Sequence, residues 1–163
     1  MAEVLHIPAD GSTPEEKYRI LLPQIKSLVE GEIDLIANMA NVSSVLKSVF
    51  KHLWVGFYIV KNNELVLGPY QGPVACTRIS YGKGVCGKAW EEQTCIIVPD
   101  VNSFPGHIAC SSESKSEIVI PGFSKKKVIF VLDIDSAQMD SFNETDRIYL
   151  EKIVKLITDI SDC

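Results

Sequence analysis

The sequence predicts one α+β domain, with a mainly antiparallel sheet of about six strands and helices packed on one face. Apolar residues follow helical spacing near both ends of the chain, where the last helix is capped near Asn143, and β-rich runs joined by short turns fill the middle. This order of elements favours helices over an antiparallel sheet. The 163 residues, 46% of them apolar, suit a single core. We expect residues 1–12 to be flexible.

Two helices are predicted at the start of the chain. The first has a capping box formed by Thr13 and Glu16, and Gly31 ends it. Pro23 is expected to kink this helix, because proline cannot donate a backbone hydrogen bond. The second helix follows directly, and we expect an interruption near Asn41 to Ser43, where capping-type residues cluster. The apolar faces of both helices are expected to face the core.

Short β elements fill the middle of the chain. Residues 53–68 are predicted to form a hairpin, and short strands are predicted around 76–79 and 95–98. A short helix is predicted over residues 84–92, after a glycine-rich turn. Residues 99–116 then read as a long loop, and loops of this length in a compact domain are usually functional.

The last hairpin predicts a cluster of acids. Strands over 116–122 and 128–136 joined by a short turn place Glu117 opposite residues 133 to 135. Asp133 and Asp135 are two apart on one strand and so point to the same face. We call Glu117, Asp133 and Asp135 the acidic trio. Acids on so apolar a strand need a partner, such as a cation or a ligand amine. Alternatively, they reach water at the strand end.

The five cysteines fall into two classes. Cys76, Cys86 and Cys110 lie in loop-like segments bearing Gly or Ser, where a thiol can ionise and react. Cys95 reads as a buried strand residue, and Cys163 is a terminal thiol, so both receive less weight. An odd number of cysteines does not suggest a fixed disulfide framework. Structural zinc is disfavoured, because its cysteine ligands usually lie two to four residues apart.

Charge and hydropathy exclude two classes of partner. The net charge is −5, and the only basic run is Lys125 to Lys127, so nucleic acid is not expected to bind. No stretch approaches the roughly 20 apolar residues that cross a bilayer, and no membrane partner is expected. The N-terminal residues look like neither a signal peptide nor a transit peptide, and we therefore expect a cytoplasmic protein.

Six short motifs lie between Trp54 and Ser136: Trp54-Val55-Gly56-Phe57-Tyr58, Leu67-Gly68-Pro69, Gly84-Val85-Cys86-Gly87, Gly106-His107-Ile108-Ala109-Cys110, Ser116-Glu117-Ile118-Val119 and Val131-Leu132-Asp133-Ile134-Asp135-Ser136. Together they resemble the free methionine-R-sulfoxide reductase family, which is built on a GAF domain. The resemblance covers essentially the whole chain and implies a single GAF-like catalytic domain over residues 1–163. Phe130 departs from the family pattern, in which a small residue precedes Val131.

The resemblance implies reduction of free L-methionine (R)-S-oxide by thiol chemistry. Such a reaction needs a thiolate to attack sulfur, a proton for the departing oxygen, and a second thiol to consume the sulfenic acid. The family assigns the attack to Cys110 and the resolving step to Cys86, with Cys76 able to substitute or relay. Glu117 is the expected proton donor, provided that burial raises its pKa.

The resemblance also implies the substrate contacts. Asp133 and Asp135 would hold the ammonium group of a free amino acid, and Trp54 and Tyr58 would wall its S-methyl end. Further contacts are implied for the two residues before Cys110, Ile108 and Ala109. His107 receives less weight as a proton-transfer residue, because residues so close along a loop rarely face each other productively. Acids this close to Cys110 oppose formation of its thiolate, and the sequence leaves open what offsets them.

No metal or other cofactor is expected. The natural electron donor for an intramolecular disulfide is a dithiol protein of thioredoxin type, and a homodimer is implied only by the resemblance. Two alternatives compete with this function. One is a non-catalytic GAF-type sensor of a small molecule or redox state, although a ligand-only pocket gives no reason for three loop cysteines near three acids. The other is a reductase of protein-bound methionine sulfoxide, which would leave the acidic trio without an ammonium group.

Overall fold

The computed structural model describes residues 4–108 and 110–161. The described residues form one antiparallel sheet in the spatial order β3-β2-β1-β6-β5-β4. Its strands are β1 (Trp54–Lys61), β2 (Glu64–Gln71), β3 (Arg78–Ser80), β4 (Ile96–Val98), β5 (Ser116–Ser124) and β6 (Lys127–Ser136). The predicted six-stranded antiparallel sheet is therefore confirmed.

Three helices lie on one side of the sheet, and the fourth lies on the opposite side. They are α1 (Pro14–Val29), α2 (Leu35–Phe50), α3 (Gly84–Glu92) and α4 (Glu144–Ser161). As predicted, helices cover one face: α2 and α4 pack there against the sheet, α1 packs on these two helices, and alternate residues of β1, β5 and β6 complete the main core. The short helix α3 packs on the opposite face with a smaller apolar cluster. The functional side chains lie on that second face.

Both N-terminal helices are continuous. The predicted capping box of α1 is present, with the Thr13 hydroxyl accepting from the Glu16 amide, and Pro23 lies inside the helix. The predicted interruption of α2 near Asn41 to Ser43 is wrong. The Ser43 hydroxyl donates to the Met39 carbonyl at 2.8 Å, one turn earlier, and Ser43 is fully buried. A capping-type residue that finds a partner within its own helix does not end it.

Burial reverses the sequence ranking of two cysteines. Cys86 does not lie in a polar loop: it is the third residue of α3 and is buried at 3% exposure. Cys95 is not a buried strand residue, because β4 begins at Ile96 and Cys95 is only half-buried. The predicted long loop after β4 contains one 3₁₀ turn, Val101–Ser103. Cys163 lies outside the described residues.

The C-terminal hairpin has the predicted register. Ser116 pairs with Ser136 and Glu117 pairs with Asp135, and the pairing continues to Ser124 and Lys127 at the turn. This register fixes the face on which each acid lies.

Phe130 packs on the helix-covered face, away from the acids. Its ring meets Phe57 edge-on at 5.5 Å, and it lies over Gly122, its cross-strand partner. A Cβ atom at Gly122 would lie 2.4 Å from the Phe130 ring. The absent side chain at Gly122 therefore makes room for the large one at Phe130.

No helix formed by residues 4–108 and 110–161 combines the length and the apolar character needed to cross a lipid bilayer.

Candidate active site

Strand pairing brings the acidic trio together. Asp135 lies between Trp54 on β1 and Glu117 on β5, and residues directly opposite one another share a face. Asp133 lies two residues along β6 on the same face, opposite Gly56 of β1. A Cβ atom at Gly56 would lie 2.5 Å from the Trp54 ring, which folds over this position. The convergence predicted from the sequence is therefore confirmed, and the absence of a side chain at Gly56 lets the Trp54 ring pack beside the acids.

A pocket opens on this face of the sheet. It holds about 550 Å³ of empty space, including the part open to solvent. Its polar and aromatic lining comprises Trp54, Tyr58, Cys86, His107, Cys110, Ser111, Ser114, Glu117, Asp133 and Asp135. Ile108 also lines the pocket, whereas Ala109 lies outside the described residues.

Burial favours the neutral forms of the acids in the pocket. Burial, together with the neighbouring carboxyls, raises the pKa of Asp133 and of Glu117 well above the usual range. These two side chains also hydrogen-bond to each other, which requires one proton between the two carboxyl groups. Asp133 Oδ1 is buried, and no described residue donates a hydrogen bond to it. The pocket therefore holds both an available proton and a buried acceptor suited to an ammonium group.

Asp135 has polar partners that Asp133 Oδ1 lacks. Burial raises its pKa, whereas a hydrogen bond from the Ser114 hydroxyl and the nearby His107 act in the opposite direction. His107 Nε2 lies 3.6 Å from Glu117 Oε2. Ser114 was not found by the sequence reasoning, because a serine in a Ser-rich loop carries no motif of its own. His107 was given too little weight, because its position along the chain does not reveal that its ring faces Glu117.

Two aromatic rings form one wall of the pocket. Trp54 and Tyr58 are both buried, and their rings lie 5.9 Å apart in a nearly stacked arrangement. The Trp54 indole donates to the Pro73 carbonyl, and the Tyr58 hydroxyl donates to the Cys76 carbonyl at 2.9 Å. Burial, helped by nearby Asp133, raises the pKa of Tyr58, so this side chain stays neutral. The wall is fixed by hydrogen bonds to the segment that carries Cys76.

A disulfide joins Cys76 to Cys110, with the two Cα atoms 5.5 Å apart. The partner of Cys110 is thus Cys76, although the resemblance favoured Cys86. The bond connects the segment between β2 and β3 with the long loop before β5, and Cys110 lines the pocket. Cys76 and Cys110, which both lie in loop segments, are therefore close enough to form a disulfide, as thiol–disulfide chemistry requires.

Cys86 remains a free thiol beneath the pocket. Complete burial raises its pKa well above the ordinary range, and its hydrogen bond to Asp133 also favours the protonated thiol. The ligand atoms of Cys86, Glu117 and Asp133 lie within 4.8 Å of one another, a spacing that could hold a metal ion. The same carboxyls include the buried acceptor Asp133 Oδ1, and this arrangement suits an organic cation as well as a metal ion. That no metal binds here therefore stays a prediction.

The comparisons with known proteins agree with this geometry. The chain is 57% identical to GAF domain-containing protein A of Dictyostelium discoideum over 158 residues, 96% of this chain and 99% of that protein. It is 44% identical to the free methionine-R-sulfoxide reductase of Saccharomyces cerevisiae over 152 residues, 88% of this chain and 84% of that protein.

One solved structure is similar over nearly the whole length. The X-ray structure of free methionine-R-sulfoxide reductase from Neisseria meningitidis in complex with its substrate has a TM-score of 0.94 and 49% identity, covering 98% of this chain and 95% of that chain. No protein-family model matches this chain. Since the relatives named as reductases share both the fold and more than two fifths of the sequence, the chain belongs to the free methionine-R-sulfoxide reductase family, and its fold is that of a GAF domain.

Proposed function

We propose that this protein reduces free L-methionine (R)-S-oxide to methionine. One observation carries the proposal: three largely buried carboxyls, one with an unpartnered oxygen, share a pocket with Cys110, which forms a disulfide with Cys76. The ammonium group of a free amino acid would satisfy Asp133 and Asp135, and Trp54 and Tyr58 would enclose the S-methyl group. A methionine sulfoxide within a polypeptide has no ammonium group to place there.

The first step uses the reduced protein. The Cys110 thiolate attacks the sulfoxide sulfur, the sulfur–oxygen bond of the substrate breaks, and the oxygen leaves with Cys110 as a sulfenic acid. The substrate sulfur gains the electron pair that Cys110 loses, and Glu117 supplies the proton for the oxygen. The raised pKa of buried Glu117 supports this role, because a general acid must hold its proton near neutral pH.

The second step forms the disulfide. The sulfur of Cys76 attacks the Cys110 sulfenic acid, the sulfur–oxygen bond breaks, and water leaves with the Cys76 proton. The bond between these two sulfurs supports Cys76 as the resolving thiol. Cys86 is buried, holds its proton and hydrogen-bonds to Asp133, so we place it in a supporting role, able to exchange with the disulfide when the pocket opens.

A dithiol protein of the thioredoxin type would then reduce the disulfide. Cys76 and Cys110 are both half-buried, and Val74, two residues before Cys76, is 85% exposed. A thiolate can therefore approach from the Cys76 side, which supports a protein reductant. We also propose that the protein is cytoplasmic and that it forms the homodimer that the family resemblance implies.

A substrate panel tests the function. Purified protein with excess dithiol should reduce free methionine (R)-S-oxide, while the N-acetylated compound and a peptide containing methionine (R)-S-oxide should react at least about tenfold more slowly, as expected when a charge-assisted contact is lost. The S epimer keeps the ammonium group and should also react more slowly, because its sulfoxide oxygen and methyl group exchange places relative to Glu117 and the aromatic wall. Equal rates on the N-acetylated compound would rule out the ammonium clamp. Binding of free methionine sulfoxide without any methionine formed would favour the sensor alternative.

A further inference from the structure

We propose that His107 is a positioning residue of this site, which returns a proton from solvent to Glu117 after each turnover. The inference rests on the reductase function proposed above and concerns the same pocket. It starts from a requirement of that reaction: Glu117 gives one proton to the sulfoxide oxygen in each cycle and must recover one before the next.

Glu117 has little direct access to water. Its side chain is 7% exposed, and it lies between β4 and β6 on the pocket face of the sheet. The other titratable groups of this site are acids, thiols and a phenol: Asp133, Asp135, Cys86, Cys110 and Tyr58. Burial raises the pKa of Asp133, Cys86 and Tyr58, and all three hold their own protons tightly.

His107 differs from these groups in chemistry. Among the described residues that line the pocket, it is the only one with a basic side chain. Its Nε2 atom lies 3.6 Å from Glu117 Oε2, so a small movement of the loop brings the pair to hydrogen-bonding distance. An imidazole can take a proton at one nitrogen and release one from the other, and it is the side chain type suited to doing so near neutral pH.

The position of His107 also suits a link to solvent. Its side chain is 14% exposed, twice the exposed fraction of the Glu117 side chain. The His107 amide donates to the Phe104 carbonyl in a tight turn, which holds the residue on the loop that carries Cys110. The ring therefore combines proximity to Glu117 with a larger exposed fraction than that acid has.

The relay balances for protons. In the first step Glu117 loses a proton to the oxygen that becomes the sulfenic hydroxyl. The water released in the second step takes its hydrogen atoms from this hydroxyl and from the Cys76 thiol. Glu117 is then ionised, imidazolium at His107 transfers its proton to Glu117, and the neutral imidazole takes a proton from solvent. No oxidant or reductant enters this step.

Two substitutions separate proton transfer from simple packing. H107Q keeps an N–H group that can donate to Glu117 but cannot pass a proton on, and H107A removes both abilities. Steady-state rates are measured with free methionine (R)-S-oxide at a dithiothreitol concentration above which the rate no longer changes. We expect both variants to lose about tenfold or more in kcat, with KM changed by less than about twofold, since general acid–base groups contribute at least this much.

Rescue by added imidazole distinguishes proton transfer from a structural role, because a structural defect would not respond to imidazole. Added imidazole should restore the rate of H107A in proportion to the imidazolium concentration, while the wild type and the matched variant H6Q, whose imidazole is removed from an exposed position outside the pocket, should not respond. Thermal unfolding checks that each variant is folded. Wild-type kcat in H107Q, or a slow H107A that imidazole leaves unchanged, would overturn the inference. If the wild type itself does not reduce the substrate, the proposed function fails instead.

Discussion

At the scale of single residues, the account depends on two aspartates with different partners. Asp133 is buried with one unpartnered oxygen, whereas Asp135 accepts a hydrogen bond from Ser114. Both lie on the pocket face, so each carboxylate is placed to meet an ammonium group. Burying such charges is costly without that partner, which explains why burial raises the pKa of both carboxyls.

Replacing either aspartate with asparagine should separate binding from folding. We expect D133N and D135N each to lose about 10- to 100-fold in kcat/KM, since a hydrogen bond to a charged group contributes about 1.5–3 kcal/mol. The amide keeps the volume, so thermal unfolding should stay cooperative. D140N, at an exposed position outside the pocket, is the matched control and should retain wild-type activity. Loss of cooperative unfolding in D133N would instead indicate a structural role.

At the scale of elements, the sequence predicted the strands that carry the site better than the loops. The register of β5 and β6 follows from a short turn between two apolar runs, and it correctly placed Glu117 opposite Asp135. The interruption expected in α2 was wrong because Ser43 finds its partner inside the helix. A local pattern shows that a hydroxyl needs a partner, but it does not show which partner tertiary packing supplies.

The cysteines and the loop residues show the same limit at the site. The glycines around Cys86 suggested polar, loop-like surroundings, yet the helix predicted over residues 84–92 buries this thiol against Asp133. Disulfide pairing depends on distances between segments far apart in sequence, and spacing alone left Cys76 and Cys86 both open as partners of Cys110. The family resemblance named Cys76, Cys86 and Cys110 together, and three-dimensional proximity was needed to pair Cys76 with Cys110.

The packing of Phe130 against Gly122 predicts that the helix-covered face of the sheet contributes to stability and not to the chemistry of the pocket. Phe130 is fully buried on the helix-covered face, so F130A should lower the free energy of unfolding by about 3–5 kcal/mol. The acids lie on the opposite face, and the fraction that remains folded should keep its kcat. F123A is the matched control, because Phe123 is 38% exposed and should cost much less. Denaturant unfolding measures both, and a selective loss of kcat in folded F130A would show that the two faces are coupled.

At the scale of the whole molecule, His52 links the fold to pH. It lies between the rings of Phe50 and Phe142, and burial lowers its pKa to about 4, with nearby Lys47 and Lys17 adding to the effect. At His52, the unfolded chain therefore binds more protons than the folded protein between pH 6.5 and about 4. The contribution of His52 to stability is fully present above this range and is lost as the pH falls through it.

The variant H52F should remove this dependence while keeping an aromatic ring. Between pH 7 and pH 5, the wild type should lose about 2 kcal/mol more than H52F in the free energy of unfolding. The acidic trio acts in the opposite direction, because raised carboxyl pKa values favour the fold at lower pH, but it is present in both proteins and cancels. H6Q should follow the wild type. Equal pH slopes for H52F and the wild type would contradict the assignment.

The most direct test of the whole account is a single turnover followed by identification of the bonds formed. Fully reduced protein is mixed with one equivalent of free methionine (R)-S-oxide, free thiols are blocked, and peptides are mapped by mass spectrometry beside a methionine assay. We expect about one methionine per chain and a disulfide between Cys76 and Cys110, both formed equally well in C86S. In C76S, methionine should still be released while Cys110 remains as sulfenic acid. A disulfide to Cys95, or methionine released with Cys110 unmodified, would contradict the account.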